Sequence, residues 1–325
     1  MSGTGENWRP SASRERLAGR AALLARARAF FAARGVLEVD TPLVVNCPVS
    51  EPHIHSASVT LGPGTAPRYL HTSPEYAMKR LVAAGSGDIY QICHVVRGLE
   101  TGRLHNTEFT LIEWYRVGFS IGKLMDETEA LVRELLGPAA ARRASERVSY
   151  RDAFQRALHL DPFTASPAAL AQAAGPLGLH AATLAPQRDE WLELLMGAIV
   201  GPQLGQGAFT FVHGYPVSQA ALARVDPQDA RVAQRFELYC DGIELANGFH
   251  ELAAAAEQRA RFAQDNEERR RRGLATAAPD ERLLAALEAG LPDCAGVALG
   301  FDRTLMLASG AKHIEEVLAF PTERA

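Results

Sequence analysis

The sequence predicts an α+β fold in which an antiparallel β-sheet is flanked by helices. Two strand-like segments, 88–97 and 108–116, are joined by a polar loop and therefore form an antiparallel pair. Segment 235–251 holds a second strand pair around Asp241-Gly242, a strong two-residue hairpin signal. Segments with helical composition or periodicity lie between and before these strands, at about 13–34, 120–200 and 252–289.

The first helix is predicted over residues 13–34. Leu17, Leu24 and Phe31 recur at heptad spacing, which indicates an amphipathic helix with one apolar stripe. Gly35 follows the last periodic residue and is a typical C-terminal cap. We expect residues 1–12 to form a flexible N-terminus and residues 13–325 to form one catalytic domain, because no clear boundary interrupts them.

The composition excludes several classes of protein. The chain has 325 residues, 47% of them hydrophobic, and a formal net charge of −4, so it lacks the basic excess of proteins that grip long nucleic acids. Its four cysteines form no CxxC pair, which argues against a zinc site or a disulfide framework. The polar N-terminus is no signal peptide, and no apolar run reaches membrane length, so we expect a cytoplasmic protein.

Two carboxylates in the second hairpin form a candidate metal site. If Asp241-Gly242 is the turn, Tyr239 pairs with Glu244, and Glu237 shares the face of Glu244. The two carboxylates are then diagonal neighbours, roughly 7–8 Å apart at the backbone. Mg²⁺ bound through carboxylates and phosphate oxygens would relieve their repulsion. Two exposed carboxylates on a solvated sheet face are the alternative, and the residues alone leave both interpretations open.

The loop between the first two strands is a candidate nucleotide site. It contains Arg97, Arg103, His105 and Asn106 and is followed by Phe109. Arginine forks match phosphate oxygens, and an aromatic ring can stack on a base. A polar solvent loop is the alternative. Neither GxxxxGK[ST] nor GxGxxG occurs in the chain, so the two commonest phosphate-binding loops are absent from the sequence.

One face of the second strand mixes aromatic rings with a carboxylate. Alternation along residues 108–116 places Phe109, Leu111, Glu113 and Tyr115 on the same face. That composition suits the floor of a ligand site better than a plain core.

These segments together carry a family resemblance. FFAARGVLEVDTP, VVRGLETGRLHNTEFTLIEWY and GVALGFDR resemble motifs 1, 2 and 3 of class II aminoacyl-tRNA synthetases of the lysyl subgroup, and TSPEYAMKRL and GIELANGFHEL are similar to lysine-specific segments between them. PDCAGVALGFDR and SQAALA resemble the short paralogs that modify translation elongation factor P. The resemblance covers nearly all of residues 13–325 and implies a class II synthetase catalytic core.

The resemblance also implies a function and partners. Such paralogs use ATP and Mg²⁺ to activate (R)-β-lysine as an adenylate and join it to a lysine side chain of elongation factor P. A homodimer is expected from motif 1. Motif 1 begins within the first 35 residues, so we expect no anticodon-reading domain ahead of it and no stable nucleic-acid partner.

By matching motif positions, the resemblance assigns roles to individual residues. The catalytic arginines are Arg97, at the ATP α-phosphate, and Arg303, which sandwiches the adenine with Phe109. Mg²⁺ is assigned to Glu237 and Glu244. The full set of ATP contacts is Arg97, Leu99, Glu100, His105, Asn106, Phe109, Glu244, Leu245, Gly300 and Arg303. The amino-acid pocket is assigned to Ser73, Pro74, Glu75, Glu113, Tyr115, Asn247, Glu251 and Ala298.

Two positions bear on how far the resemblance extends. Motif 2 in the family reads Arg-x-Glu, with the glutamate on the adenine amino group, whereas this chain has Leu99 there and Glu100 next. We expect Glu100 to substitute, or ATP binding to be weakened. Lysyl-tRNA synthetases have glycine at the position of Ala298, whose methyl group is expected to favour β-lysine over α-lysine. The substrate remains (R)-β-lysine or lysine on these grounds.

Two other functions stay open. A truncated lysyl-tRNA synthetase would charge tRNA or release free adenylates. A non-catalytic paralog would have kept the fold as a regulatory or binding module, which Leu99 favours. Intact Arg97, Glu237, Glu244 and Arg303 argue against that second alternative.

Overall fold

The computed structural model describes residues 8–178 and 187–325. Its helices in these ranges are α1 (Arg14–Ala32), α2 (Glu75–Ala83), α3 (Ile121–Leu136), α4 (Tyr150–Leu158), α5 (Pro167–Ala173), α6 (Arg188–Leu195), α7 (Ala255–Arg271), α8 (Glu281–Gly290) and α9 (Phe301–Ser309). Its strands there are β1 (Leu37–Glu38), β2 (Val44–Val45), β3 (Ser58–Val59), β4 (Arg68–Leu70), β5 (Ile89–Val96), β6 (Glu108–Val117), β7 (Ala144–Ser149), β8 (Ala208–Pro216), β9 (Val232–Cys240), β10 (Ile243–His250) and β11 (Cys294–Gly300). No helix within the described ranges is long and apolar enough to cross a membrane.

The chain divides into two compact units, and the expectation that residues 13–325 act as one catalytic domain stays a prediction. The second unit comprises residues 120–129 and 141–252, and the remaining described residues form the first unit. The chain leaves the first unit after Phe119 and returns to it for residues 130–140 and again from Ala253. One of these crossings falls inside α3, between residues 129 and 130, where no change of composition marks it in the sequence.

The main sheet of the first unit has the order β1-β5-β6-β11. The predicted antiparallel pairing of segments 88–97 and 108–116 is confirmed, since β5 pairs with β6 from Ile89 opposite Tyr115 to Val96 opposite Glu108. Strand β11 runs antiparallel on the other side of β6, whereas the short β1 is parallel to β5. A separate antiparallel sheet has the order β2-β4-β3.

Helix α1 is confirmed, but its predicted apolar stripe is displaced. The hydroxyl of Ser13 caps the first turn, and Gly35 follows the helix with a left-handed φ of 66°. Leu17 and Leu24 are only half-buried, whereas the ring of Phe31 stacks on Tyr90 at 4.2 Å between centroids. A helical period of 3.6 residues, not 3.5, fits the buried face. That face consists of Leu23, Ala27, Phe30 and Phe31.

The N-terminal segment is less separate than expected. Residues 1–7 lie outside the described part of the chain. The backbone N–H groups of Ser11 and Ala12 donate hydrogen bonds to the carbonyl oxygens of Ala319 and Leu318, and Ala12 is buried. Ser11 and Ala12 are therefore tied to residues near the end of the sequence by backbone hydrogen bonds, and the flexibility of residues 1–12 stays a prediction.

The sheet of the second unit has the order β10-β9-β8-β7. Its pairs are antiparallel except β7 with β8, which are parallel. The predominantly helical prediction for residues 120–200 missed β7. Four of the six residues of this edge strand are exposed and its sequence is ASERVS, so it carries no apolar alternation. Helices α4, α5 and α6 supply the core of this unit, which includes Tyr150, Phe154, Leu170 and Trp191.

The turn between β9 and β10 is confirmed at Asp241-Gly242. Both residues have positive φ values, 50° and 72°, as a type I′ turn requires. Gly242 is also sterically constrained, since a Cβ atom there would lie 2.7 Å from the carbonyl oxygen of Pro202. The turn therefore requires glycine for two independent reasons.

We expect Gly242→Ala to destabilise the protein by more than Gly207→Ala. Gly207 has a similar φ of 66°, but a methyl group added there would meet no atom within 4 Å. Its replacement therefore isolates the left-handed backbone cost of about 1–2 kcal/mol. The free energy of unfolding in urea, measured for both variants, checks this. Equal losses in the two variants would contradict the steric argument.

Candidate active site

One face of the β5-β6-β11 sheet collects the predicted ligand-facing side chains of the first unit. The register confirms that Phe109, Glu113 and Tyr115 share a face of β6. Ala298 of β11 lies directly opposite Glu113, and Gly300 lies two residues further along the same strand. Ala298 is partly exposed although its neighbours along β11 are buried, so its methyl group faces open space on this side of the sheet.

Glu113 is a buried carboxylate held by two hydroxyl groups. Ser73 Oγ donates to Glu113 Oε2 at 2.7 Å, and the Tyr115 hydroxyl donates to Oε1 at 2.8 Å. Burial and the nearby Glu75 carboxylate raise the pKa of Glu113 to about 7, although the two hydrogen bonds act in the opposite direction. Near neutral pH a cation placed beside Glu113 would favour its ionised form.

Ser73, Pro74 and Glu75 enter the site from the start of α2. Ser73 Oγ accepts a hydrogen bond from the backbone N–H of Glu75 at 3.1 Å. Lys79, one turn later and 2% exposed, donates to Glu75 Oε1 at 2.7 Å. We did not predict a role for Lys79, although its i,i+4 spacing from Glu75 is the usual signal of such a pair. The ion pair fixes the Glu75 carboxylate at the start of the helix.

Gln91 is a second residue that the sequence analysis missed. It lies directly opposite Glu113 on β5 and is 1% exposed. Neither its amide oxygen nor its amide nitrogen has a hydrogen-bond partner among the described residues. An unsatisfied buried amide is costly, typically about 1–3 kcal/mol. A glutamine in the apolar run of β5 is the sequence signal that could have identified it.

The motif 2 loop brings four of the predicted ATP-contacting side chains together. The Arg97 guanidinium lies 5.2 Å from the centroid of the Phe109 ring, and its Nε donates to the carbonyl oxygen of Thr72. Arg303 Nη2 lies 2.7 Å from His105 Nε2. Burial, together with Arg303 and Arg97, lowers the pKa of His105 to about 4. The imidazole is therefore neutral and accepts the arginine N–H.

The amide of Asn106 has structural partners. Its Nδ2 donates to the carbonyl oxygen of Glu108 at 2.6 Å, and its Oδ1 accepts from the backbone N–H of Thr322 at 3.1 Å. These bonds join the start of β6 to the end of the chain. A direct contact between Asn106 and a nucleotide stays a prediction.

Leu99 occupies an unusual backbone conformation. Its φ is 67°, in the left-handed region that residues other than glycine and asparagine rarely adopt. The residue is 87% exposed. The preceding Gly98 is held by a hydrogen bond from its N–H to the carbonyl oxygen of His55. A Cβ atom at Gly98 would lie 2.4 Å from His55 Nδ1, so a larger residue there would displace the exposed His55 side chain. The backbone before Leu99 is thus held by the hydrogen bond to His55, while the leucine side chain projects into solvent.

In the second unit, a β-bulge aligns the predicted metal and substrate residues. Glu244 pairs with Tyr239 as predicted, but the register then shifts, and Asn247 pairs with Glu237. In a regular ladder Asn247 would point to the opposite face from Glu244, because side chains alternate along a strand. The extra residue, Leu245, places Glu237, Glu244 and Asn247 on one face.

The side chain of Glu237 has partners for both of its oxygens. Arg235 Nη2 donates to Oε1 at 2.5 Å, and the Tyr239 hydroxyl donates to Oε2 at 2.7 Å. Asn247 Oδ1 is buried without a hydrogen-bond partner in the described ranges, and Glu251 is 4% exposed. Among the described residues, no group of three or more His, Cys, Asp or Glu side chains is arranged to hold a metal ion.

A cavity of about 490 Å³ lies within the first unit beside the segment from Ser73 to Glu75. Its wall also contains Cys47 and Arg68, but not Glu113, Phe109 or Arg303. We therefore do not assign it to ATP, since the arginine and aromatic side chains expected around a nucleotide lie elsewhere in the unit.

Comparison with known proteins decides the family. The family model of class II tRNA synthetases of the D, K and N types matches residues 7–324. The chain belongs to this family. The α+β synthetase core predicted from the motifs is therefore confirmed, with the difference that the sheet of each unit ends in a parallel strand pair.

Several relatives within the class II synthetase family share a specialised name. An elongation factor P–(R)-β-lysine ligase of Vibrio parahaemolyticus is 51% identical over 320 residues, which are 97% of this chain and 98% of that protein. Proteins of the same name from Klebsiella pneumoniae and Vibrio cholerae are each 49% identical, over 98% and 99% of this chain and 98% and 100% of theirs. The resemblance to this branch of the synthetase family is confirmed.

We expect the ionisation of Glu113 to make stability depend on pH. Its pKa of about 7 lies above the ordinary value of 4.5, so the folded protein holds this proton more tightly than the unfolded chain does. The stability that protonated Glu113 contributes is therefore fully present below about pH 4.5 and is lost as the pH rises through about 7. The free energy of unfolding, measured in urea from pH 5 to 8, should fall relative to that of Glu113→Gln by more than about 1 kcal/mol. A difference that stays constant over this range would contradict the raised pKa.

Proposed function

We propose that this protein activates (R)-β-lysine with ATP and transfers it to a lysine side chain of elongation factor P. The observation that carries this proposal is the identity of about 50% with ligases of that name over nearly the full length of both chains. The geometry of the first unit agrees with it. A buried carboxylate with two hydroxyl partners suits a substrate ammonium group, and the Arg97 guanidinium beside the Phe109 ring suits a nucleotide.

The first chemical step needs positioning and positive charge rather than a protein nucleophile. A carboxylate oxygen of the amino acid attacks the α-phosphorus of ATP, and the bond to pyrophosphate breaks. Arg97 contacts the α-phosphate and stabilises the charge that develops there. Phe109 and Arg303 hold the adenine between them. His105, which is neutral, accepts a hydrogen bond from Arg303 and orients its guanidinium plane.

The amino-acid pocket uses the acidic face of β6. Glu113 and Tyr115 receive an ammonium group of the substrate, and Ser73 keeps the Glu113 carboxylate in place. The bound ammonium group stabilises the ionised form of Glu113 and so lowers the pKa of this carboxyl group, which burial had raised. In the second unit, Asn247 and Glu251 keep the substrate-binding role that the motifs give them, and the bulge in β10 supports it by turning Asn247 to the face of Glu244.

Mg²⁺ is the implied metal, and the donors present fit it. Mg²⁺ in ATP-dependent enzymes is bound by one or two carboxylates together with phosphate oxygens and water. Glu237 and Glu244 supply two carboxylates on one face of the β9-β10 hairpin. Arg235 and Tyr239 hold the Glu237 carboxylate in a fixed orientation. When bound, the ion would neutralise phosphate charge.

We assign the adenine amino group to Glu100 rather than to Leu99. The Leu99 side chain is exposed, whereas Glu100 is half-buried one residue further along the loop. The Glu100 carboxylate or a neighbouring backbone carbonyl then accepts from the base. On this assignment Glu100→Ala raises the KM for ATP in pyrophosphate exchange, and an unchanged KM contradicts it.

In the second step, the acceptor is a protein amine. The lysine amine of the factor attacks the carbonyl carbon of the mixed anhydride, an amide bond forms, and AMP leaves with the bonding electrons. We propose that the enzyme acts as a homodimer in the cytoplasm, where a translation factor is found, and that tRNA is not its substrate.

The proposal is tested by incubating the protein with ATP, Mg²⁺, (R)-β-lysine and elongation factor P. Mass spectrometry should show one β-lysyl group added to a lysine of the factor. Glu244→Gln should lose pyrophosphate exchange by at least about 100-fold while keeping its thermal stability, because it removes a charged ligand from the metal. Efficient charging of tRNA-Lys without modification of the factor would overturn the proposal. Near-normal exchange in Glu244→Gln would overturn the metal assignment.

We expect Ala298→Gly to shift the specificity toward α-lysine. The Ala298 methyl group projects beside Glu113, where it blocks an α-ammonium group but leaves room for an amine one carbon further along. One methyl group in such a pocket is worth about 1–3 kcal/mol, or roughly 10–200-fold. The ratio of kcat/KM for α-lysine over (R)-β-lysine should therefore rise at least about tenfold. An unchanged ratio in a folded, active variant would show that Ala298 only packs the strand.

A further inference from the structure

A buried polar cluster lies on the face of β6 opposite to the candidate active site. It consists of Arg20 of α1, Thr110 of β6 and Asp302 of α9. Asp302 is 1% exposed and Thr110 is 3% exposed. Asp302 Oδ2 accepts from the backbone N–H of Thr110 at 2.7 Å, and Arg20 Nη2 donates to Thr110 Oγ1 at 2.6 Å. Arg20 Nη1 also donates to Asp302 Oδ1, which closes the triangle.

The cluster replaces sheet pairing where β11 ends. Gly300, the last residue of β11, is opposite Leu111, so the ladder stops one residue short of Thr110. The Asp302 carboxylate takes the place of the missing backbone acceptor and ties the first turn of α9 to β6. The strand and the helix are thus held together at this point by a side chain that itself needs a cation.

The two backbones joined in this way carry the adenine-binding side chains. Thr110 directly follows Phe109, and Asp302 directly precedes Arg303. Because adjacent residues in a strand point to opposite faces, a bond to Thr110 on one face fixes the direction of Phe109 on the other. Any movement of α9 relative to β6 therefore changes the separation of Phe109 and Arg303.

We propose that Arg20 is a positioning residue for ATP, which keeps Phe109 and Arg303 at the spacing that accepts one adenine ring. This inference rests on the proposed function. Arg20 suits the role because its planar fork reaches Asp302 and Thr110 at the same time, which a lysine ammonium on a flexible stem does not reproduce. Its guanidinium also lies 5.0 Å from the centroid of the Phe301 ring, which restricts it further.

Charge explains why the cluster needs the arginine. Asp302 is almost completely buried, and a buried carboxylate without a cation is strongly destabilised. Without the Arg20 guanidinium, Asp302 keeps one hydrogen-bond donor of this cluster, the backbone N–H of Thr110. The buried carboxylate then lacks a cationic partner and turns toward water, which weakens its bond to β6.

The test compares Arg20→Met and Arg20→Lys with the matched control Arg16→Met. Arg16 lies one turn earlier on α1 and forms an ion pair with Glu316 at 2.7 Å. It takes no part in the three hydrogen bonds of the cluster. In pyrophosphate exchange, Arg20→Met should raise the KM for ATP at least about tenfold, with the KM for (R)-β-lysine changed less than about twofold. Arg20→Lys should give an intermediate KM for ATP, and Arg16→Met should match the wild type.

Further measurements make each outcome decisive. If Arg20→Met does not fold, as judged by thermal unfolding, Thr110→Val replaces it, because that change removes only the hydroxyl partner at similar volume. A folded variant with unchanged KM for ATP overturns the inference, and so does an equal rise in both KM values, which a merely structural role would give. Should the wild type fail to exchange pyrophosphate, the proposed function fails. The positioning role is then tested separately by measuring ATP affinity with calorimetry. Arg20→Met should bind ATP more weakly than Arg16→Met does.

Discussion

The alternation of side chains along β6 is the constraint on which the rest of the first unit depends. This strand is paired on both sides, with β5 and with β11, over registers that contain no bulge. Phe109 and Glu113 therefore face the candidate site, while Thr110 and Trp114 face the helices. A slip of one residue would exchange the two sets completely. Because both faces are largely buried, such a slip would place the Glu113 carboxylate in the apolar core.

A second constraint is the burial of acidic groups near one another. Burying a carboxylate is costly unless it is paired or hydrogen-bonded, and Glu113 lies close enough to Glu75 for the two charges to repel. The protein limits that cost in two ways. Lys79 neutralises Glu75 directly, whereas Glu113 receives only neutral hydroxyl donors and keeps a pKa of about 7. Of the two carboxylates, Glu113 is thus the one that a cationic substrate would neutralise.

Local signals in the sequence were sufficient for the elements that depend on local chemistry. The Asp241-Gly242 turn follows from positive φ values that these residue types tolerate, and it fixed the pairing of Glu244 with Tyr239. The motifs identified the family and with it most of the candidate site. Strand β7 was missed because an exposed edge strand needs no apolar alternation, so its pattern resembles that of a loop or a solvated helix.

Other features could not be predicted because they depend on residues far apart in the chain. The bulge at Leu245 moves Asn247 to the face of Glu237, and no turn or propensity signal marks it. Arg20 and Asp302 are separated by 282 positions, and each alone resembles an ordinary charged residue on a helix. The division into two compact units is a further feature that the sequence did not indicate, since one of the points where the chain passes between them lies within α3, where composition does not change.

The hydrogen-bond partners of the arginines distinguish the side chains that are held in the interior from the side chain that is available to a ligand. Arg20 and Arg235 each bond a buried carboxylate, so releasing either would leave an uncompensated charge in the interior. The bond described for Arg97 instead goes to a neutral acceptor, the backbone carbonyl of Thr72. A hydrogen bond to a neutral acceptor is weaker than one to a carboxylate. A phosphate can therefore draw the Arg97 guanidinium toward itself at little cost to the fold, while Arg20 and Arg235 keep the backbone around them in place.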